Sequence, residues 1–389
     1  MHSTIPMSFV TKAAQTPDVL FAIMKAMAKK KMFYHFTDYM ASQHKPLRLG
    51  QISLKITNVC NLRCKMCGQW GESGYNHDKS MAELKDVVPL ETYKRMVDEV
   101  KDDKPFIYIW GGEPFLYPDL VPLLRYMKEA GLMGSVVTNA VKLEKYAAEL
   151  VDIGWDAFMV SLDGPKDIHN EIRGHKDSYD KVINGITRLN EEKRKQGKKK
   201  PYTMILTTVM RDNPHALFDV FKIAEEIEAS CVVVYYCWFT TEERVKDHTR
   251  QMQTRFNITP WSVHGYVADW HNVNDRELQE SVKRIKSHKW KMPYVFYPEL
   301  EIEDIPRYYN EPGNFFGHDK CISIYTTAEV MPNGDVATCR DYPDYITGNI
   351  RENSIKEIFN NDKYWKFRNS IKNEGMLPIC ARCCGLMGF

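Results

Sequence analysis

Six short apolar runs alternate with helix-like stretches between residues 51 and 236, and this alternation restricts the possible folds most strongly. The runs are rich in β-branched residues, as expected for strands buried on both faces of a parallel sheet. Periodicity alone leaves an open sheet and an incomplete barrel as alternatives, and both place functional groups at the carboxyl ends of the strands. The runs are ISLKIT (52–57), FIYIW (106–110), GSVVT (134–138), AFMVS (157–161), TMILTTV (203–209) and CVVVYY (231–236).

The charge balance and the absence of export signals restrict the partners and the compartment. The 389 residues include 53 basic and 51 acidic side chains, a net charge of +2, so we predict no nucleic-acid partner. There is neither a secretory signal pattern nor a run of 18 consecutive apolar residues, which predicts a cytoplasmic protein. In a reducing compartment, clustered cysteines more often bind metals or act in catalysis than form disulfides.

Residues 1–50 form a lead-in that is distinct from the alternating region. Within 18–35, apolar residues at helical spacing are followed by three consecutive lysines, which predicts a basic amphipathic helix. We favour a helix that packs on its own domain, with a peripheral membrane contact as the alternative. The basic run at 191–200 is interpreted as the solvated end of a helix.

Three cysteines with the spacing C-x3-C-x2-C follow the first predicted strand directly: Cys60, Cys64 and Cys67. A structural zinc site needs four ligands, so these three leave it one short. An iron–sulfur cube has four irons, and three thiolates leave one iron without a protein ligand. Such a vacancy allows a substrate or cofactor to coordinate.

Further motifs follow the later strands in chain order: GGEP (111–114), TN (138–139), SLDG (161–164) and NEIRG (170–174). Together with the cysteine spacing they resemble the radical S-adenosylmethionine (SAM) superfamily. The resemblance implies a partial (β/α)6 TIM-like barrel. It also implies a [4Fe–4S] cluster held by three cysteines and SAM. The cofactors would supply a 5′-deoxyadenosyl radical that takes a hydrogen atom from the substrate.

The resemblance also implies the residues that contact SAM. It assigns Glu113 to the ammonium group of SAM, Arg173 to its carboxylate, and Ser161 and Asp163 to the ribose side. Met66 stands where the family often has an aromatic residue near the adenine. His169 is interpreted as structural. The implied set is Met66, Gly111, Gly112, Glu113, Pro114, Asn139, Ser161, Asp163 and Arg173.

A second cysteine group lies near the end of the chain. Cys321 and Cys339 flank a predicted hairpin around Gly334, and a Cys-x2-Cys pair, Cys380 and Cys383, follows. Two such pairs can form a closed site with four ligands. Spacing alone does not decide whether this site would bind zinc or an iron–sulfur cluster. The pattern resembles the SPASM/twitch extension, which implies a small α+β domain with one auxiliary [4Fe–4S] cluster. Its ligands are expected to be these four cysteines, with Cys384 as an alternative to Cys383.

These patterns divide the chain into four parts: a helical lead-in (1–50), a barrel core (51–240), an aromatic-rich insert (241–309) and an auxiliary-cluster domain (310–389). Cys231 is expected in the core, and Cys237 with Trp238 at the edge of a substrate cavity. No base for the substrate is identified, so the catalytic residues stay unknown. The insert offers His264, Asp269 and His271 as guesses.

The resemblance predicts an oxidoreductase or bond-forming enzyme that uses the auxiliary cluster in a reaction on a small molecule or lipid. One alternative is a radical SAM enzyme that matures peptides, although a fifty-residue lead-in is short for a peptide-recognition domain. The alternative from another class is a non-enzymatic electron-transfer protein, which would have no need for a SAM pocket. The expected reductant is flavodoxin or ferredoxin.

Overall fold

The computed structural model describes residues 46–268 and 273–387. The predicted helix at 18–35 therefore lies outside the described residues, as do Asp269 and His271. Within the described part, ten strands form a single sheet in the order β10-β9-β8-β1-β2-β3-β4-β5-β6-β7. The strands are β1 (Gln51–Lys55), β2 (Phe106–Trp110), β3 (Met133–Thr138), β4 (Ala157–Ser161), β5 (Tyr202–Val209), β6 (Cys231–Tyr236), β7 (Tyr294–Tyr297), β8 (Thr327–Val330), β9 (Asp335–Ala337) and β10 (Ile346–Asn349).

Strands β1 to β7 are parallel neighbours, as the alternating pattern predicts. On the other edge of β1, β8 adds a further parallel strand, with Gln51 opposite Thr327. Strands β8, β9 and β10 pair antiparallel, and β8 and β9 form the hairpin predicted around Gly334. The C-terminal hairpin thus continues the barrel sheet. The α/β class with a parallel barrel-like sheet is confirmed, and the boundaries of the four predicted parts stay predictions.

Helices connect the parallel strands and cover one face of the sheet. The α-helices of the described part are α1 (Met81–Lys85), α2 (Leu90–Val100), α3 (Leu120–Glu129), α4 (Leu143–Ile153), α5 (Lys166–Arg173), α6 (Ser178–Gln196), α7 (Leu217–Glu226), α8 (Glu242–Phe256), α9 (Asp275–Ser287), α10 (Ile305–Asn310), α11 (Ser323–Thr326), α12 (Ile355–Asn360), α13 (Asp362–Glu374) and α14 (Cys384–Met387). Short 3-10 helices span Pro114–Leu116, Pro214–Ala216, Val263–Tyr266, Ile302–Asp304 and Pro378–Arg382. The basic run lies at the predicted place, since α6 ends at Gln196 and Gly197 follows with φ of 64°.

The two faces of β1 have different neighbours, and this difference separates the core from the barrel interior. Ile52 and Leu54 point to the helices and belong to the main hydrophobic core. Ser53 and Lys55 alternate with them and are fully buried on the opposite, inner face. Part of the interior is lined by a second, smaller apolar cluster around Cys231 and Val233. Cys231 is therefore buried as predicted, inside the barrel.

The insert contains more regular structure than its sequence pattern indicates. Helix α8 buries Val245, His248, Met252 and Phe256, which are three or four residues apart along an otherwise polar segment. The seventh parallel strand, β7, has only four residues, lies between Pro293 and Pro298, and pairs with β6. Short length and flanking prolines explain why the strand–helix rhythm is not visible there in the sequence.

Candidate active site

The three-cysteine loop begins five residues after β1, at the carboxyl end of the strand. Its backbone is fixed by its own turns, with the Cys67 amide donating to the Cys64 carbonyl at 3.1 Å and the Gly71 amide to the Cys67 carbonyl at 2.7 Å. The Lys65 amide donates to the Ile172 carbonyl at 2.9 Å, which ties the loop to α5. All three thiols are free, and Cys64 is buried.

The thiols of this loop lie in surroundings that suit a metal cluster. Burial raises the pKa of Cys60 to about 12, and the nearby Cys64 thiol adds to the shift. Burial also raises the pKa of Cys64 to about 11, against the opposing effect of Arg173. Thiolates gathered in such a site need bound positive charge to ionise, and iron supplies it. The donor set therefore fits a cluster with three protein ligands.

Arg173 at the end of α5 lies beside this loop. Its Nη1 donates to Cys64 Sγ at 3.7 Å, and its Nε donates to Asp163 Oδ2 at 2.6 Å. Asp163 is fully buried, and its Oδ1 accepts from the Thr208 amide at 3.0 Å. The structure thus brings Arg173, the predicted partner of the SAM carboxylate, next to Cys64, a predicted cluster ligand. Asp163, predicted on the ribose side, holds Arg173 in that position.

His169 has the structural role interpreted from the sequence. It is fully buried, and its Nδ1 accepts from the Asp163 amide at 3.2 Å. Its Nε2 lies 3.0 Å from Ser178 Oγ. Burial lowers the pKa of His169 to about 4, so the ring is neutral near pH 7 and accepts through Nδ1.

The GGEP segment forms the turn after β2 and packs on the cysteine loop. Gly111 has φ of 142°, and a Cβ on Gly112 would lie 2.2 Å from the Val59 carbonyl oxygen. Both glycines therefore allow two backbones to meet, and their contact with SAM stays a prediction. The Gly112 amide donates to the Thr57 carbonyl at 2.8 Å. Pro114 begins the 3-10 helix that follows.

Glu113 is buried, and its carboxylate accepts from donors at the end of β3 and from its own turn. It accepts from Thr138 Oγ1 at 2.7 Å, the Asn139 amide at 2.8 Å and the Phe115 amide at 3.1 Å. Burial raises its pKa, against the opposing effect of these hydrogen bonds. Two carboxylate oxygens offer about four acceptor positions, so capacity remains for one further donor. Asn139 Nδ2 donates to Asn61 Oδ1 of the cysteine loop at 3.0 Å.

Two predicted contacts are partly exposed around the same edge. Met66 lies between the second and third cysteines, and Ser161 ends β4. The nine predicted SAM contacts therefore lie in the cysteine loop, at the carboxyl end of β4, or in the segments that follow β2, β3 and β4. Their individual roles toward SAM stay predictions.

The second cysteine group is drawn together by the hairpin and the C-terminal turn. Cys339 and Cys380 are half-buried, and the burial of their thiols raises the pKa of Cys339 and brings that of Cys380 to about 12. The charge of Asp341 adds to the rise for Cys339, and that of Cys321 adds to the rise for Cys380. Cys383 Sγ donates to Asp341 Oδ2 at 3.1 Å. The side chain of the alternative ligand Cys384 lies outside the described part.

A polar cluster on the inner face of the barrel lies between the two cysteine groups and was missed by the sequence reasoning. Lys55 Nζ donates to Tyr75 Oη at 3.1 Å. Glu329 of β8 lies opposite Ser53, and its Oε1 accepts from Trp110 Nε1 at 2.8 Å. Burial raises the pKa of Glu329 to about 8, so this carboxyl group can give or take a proton near neutral pH. The sequence signal for this cluster was a single charged residue, Lys55 in β1 and Glu329 in β8, at a strand position that points into the barrel.

Other candidates from the sequence have mixed outcomes. His264 is exposed in the Val263–Tyr266 turn. Cys237 is buried after β6, and Trp238 contacts the rings of Tyr266 and Tyr342. Within residues 46–268 and 273–387, no three His, Cys, Asp or Glu side chains converge to hold one metal ion. Thiolates on an iron–sulfur cube bind separate irons and need not meet at one point.

Two family models match the chain. The radical SAM superfamily matches residues 54–224, and the SPASM iron–sulfur cluster-binding domain matches residues 321–384. The chain therefore belongs to the radical SAM superfamily and carries a C-terminal SPASM domain. The first domain implies a [4Fe–4S] cluster with SAM, and the second implies auxiliary iron–sulfur binding.

Particular relatives cover most of the chain at low identity. Fe-coproporphyrin III synthase of Methanosarcina barkeri is 26% identical and covers 84% of this chain and 79% of its own. AdoMet-dependent heme synthase of Oleidesulfovibrio alaskensis is 24% identical, and the alignment covers 86% of this chain and 81% of the synthase. The structure of SuiB of Streptococcus suis, solved with its precursor peptide SuiA, aligns with a TM-score of 0.59 at 17% identity. The alignment covers 89% of this chain and 73% of SuiB. This last likeness supports the fold alone.

No helix in the described residues is both long and apolar enough to cross a bilayer.

Proposed function

We propose that this enzyme uses the radical generated from SAM to oxidise, or to form a bond on, a small molecule or lipid. An auxiliary iron–sulfur cluster in the SPASM domain would take the electron released. The bound SAM and clusters supply the radical and redox chemistry. The protein orients them, shields the barrel interior and holds the substrate between the two cysteine groups.

The observation that carries this proposal is that side chains beside both cysteine groups face one interior. Tyr75 follows the three-cysteine loop and reaches Lys55 on the inner face of β1. Arg340 follows Cys339, and its guanidinium lies 5.2 Å from the centre of the Tyr108 ring of β2. Tyr108 alternates with Ile107 and Ile109, which face the helices, so its side chain lies on the inner face. A substrate in this interior would lie between the two sites.

The relatives indicate which small molecules to test first. Two of them, named for Fe-coproporphyrin III and heme, each align over more than four-fifths of this chain. Iron porphyrins are therefore the first substrate class we propose. A peptide is the second, because SuiB has the same fold and was solved with a precursor peptide. Flavodoxin or ferredoxin is the proposed reductant.

The test begins with protein reconstituted with iron and sulfide without oxygen. SAM and dithionite are added together with one probe. The probe is Fe-coproporphyrin III, heme, or an extract of the source cells that contains only molecules smaller than about 3 kDa, including short peptides. We measure 5′-deoxyadenosine and any product that differs from its substrate. The expected result is a probe that stimulates 5′-deoxyadenosine formation and is itself altered.

The matched control is the Cys60→Ala/Cys64→Ala/Cys67→Ala variant, which removes the protein ligands of the first cluster. It should form no 5′-deoxyadenosine with any probe. Stimulation only by the peptide fraction of the extract would favour peptide maturation. Electron transfer without 5′-deoxyadenosine formation by the wild-type protein would contradict the proposed reaction.

A further inference from the structure

The insert contains a turn, Val263–Tyr266, that contacts the loops of both cysteine groups. We propose that this turn is a positioning element that makes the geometry of the three-cysteine loop depend on the loop after Cys339. SAM binding at the first site would then depend on the state of the auxiliary site. Such coupling between the two sites is separate from the reaction proposed for the substrate.

The first contact joins the turn to the residue after Cys67. A Cβ on Gly68 would lie 2.3 Å from Tyr266 Cε1, so the tyrosine ring rests directly on the glycine. A Cβ on Gly265 would lie 2.1 Å from the Gly68 carbonyl oxygen. The same carbonyl accepts from the Tyr75 amide at 3.1 Å. With no side chain between them, the turn packs directly on the backbone beside Cys67 and restrains it.

The second contact joins the turn to the loop after Cys339. Asp344 Oδ1 accepts from the Trp261 amide at 2.7 Å and from the Ser262 amide at 2.9 Å. Its Oδ2 accepts from Ser262 Oγ at 2.8 Å. Asp344 is 5% exposed and Ser262 is fully buried. Three donors held by one buried carboxylate fix the start of the turn to a position five residues after Cys339.

Aromatic packing closes the space between the two contacts. The Tyr266 and Tyr342 ring centres are 5.5 Å apart, in an edge-to-face arrangement. Tyr342 follows Cys339 by three residues in the same loop. The Thr240 amide donates to the Tyr266 carbonyl at 2.8 Å and anchors the turn near the end of β6. A continuous series of contacts thus runs from the loop after Cys339 to Gly68.

The physical consequence is a coupling between the sites. Cys339 would hold its loop in one conformation when it binds the auxiliary metal, and Asp344 in that loop would hold Ser262 through their hydrogen bonds. Without that restraint, Tyr266 can leave Gly68, and the neighbouring Cys67 is positioned less well for the cluster that binds SAM. Coupling of this kind is reciprocal for binding.

The main test replaces the carboxylate without touching any cysteine. Asp344→Asn is reconstituted without oxygen, and its iron content is compared with wild type. The affinity for SAM is measured from the change that SAM causes in the electron paramagnetic resonance spectrum of the reduced first cluster. We expect unchanged iron and an affinity about tenfold lower, as for loss of one charge-assisted hydrogen bond. The control is Asp362→Asn, an exposed carboxylate of the same domain.

A double-mutant cycle separates coupling from general damage. Cys339→Ala should weaken SAM binding, and adding Asp344→Asn should weaken it no further, since both changes release the same turn. Independent, multiplying effects would overturn the proposal. Wild-type SAM affinity in iron-replete Asp344→Asn would also overturn it.

A milder variant covers the case in which Asp344→Asn fails to fold. Ser262→Ala removes one of the three hydrogen bonds and leaves the carboxylate in place. It should lower SAM affinity about threefold, as expected for a weaker neutral donor. An unchanged spectrum and affinity would refute the positioning role. None of these measurements requires the substrate, so failure here differs from failure of the proposed reaction.

Discussion

Replacing Glu329 by glutamine should change how stability depends on pH. Burial raises the pKa of this carboxyl group from 4.5 to about 8. The folded protein therefore keeps a proton that the unfolded chain releases, and stability falls as pH rises between these values. Over the whole window the loss is about 5 kcal/mol, at 1.36 kcal/mol for each pKa unit. Glutamine is neutral throughout and should remove this loss.

The useful window for the measurement lies between pH 6 and pH 8. The unfolded carboxyl group is ionised there, while Glu329 is still mostly protonated, so wild type should lose about 2 kcal/mol relative to the variant. For a chain of this size that difference corresponds to about 2–3 °C in Tm if unfolding is one step. Burial lowers the pKa of Lys55, so its titration changes stability with pH in the opposite direction to that of Glu329. The effect of Glu329 is therefore measured as the difference between wild type and Glu329→Gln.

The assay is a thermal melt of anaerobic, cluster-loaded protein at several pH values. Glu303→Gln, a change of an exposed carboxylate, is the matched control and should run parallel to wild type. Infrared difference spectra should show a protonated carboxyl band in wild type that is absent from Glu329→Gln. Parallel melting profiles for wild type and Glu329→Gln, together with no such band, would refute the reasoning.

Three further predictions concern the same framework. The Cys60→Ala/Cys64→Ala/Cys67→Ala variant should keep about four irons per chain, one cube; chemical iron analysis showing none would contradict an auxiliary iron–sulfur site. Arg173→Lys should weaken SAM binding roughly tenfold, since lysine lacks the guanidinium fork that contacts both Asp163 and Cys64; equal affinity by titration would argue against that role. Burial lowers the pKa of His169 to about 4, so its stability contribution should be lost as pH falls from about 6.5 toward 4; a His169→Gln variant with the wild-type acid profile would contradict this.

The sequence by itself determined most of the barrel and the cysteine groups. The β-branched runs gave β2, β4 and β6 with their observed bounds, since strands buried on both faces must be continuously apolar. Cysteine spacing and short motifs predicted the loop that would hold the first cluster, because the ligands of one cluster must be close along the chain or at adjacent strand ends. Local patterns of this kind need no knowledge of distant contacts.

Tertiary structure alone decided which residues face each other across the barrel. Glu329 lies opposite Ser53 because β8 adds to the edge of β1, a pairing between strands more than 270 residues apart. The GGEP glycines meet the cysteine loop backbone, which the motif does not reveal. The contacts of Asp344 with Ser262, and of Tyr266 with Gly68, likewise join distant segments. Such pairings depend on register and packing in three dimensions, which a single sequence does not encode in any local pattern.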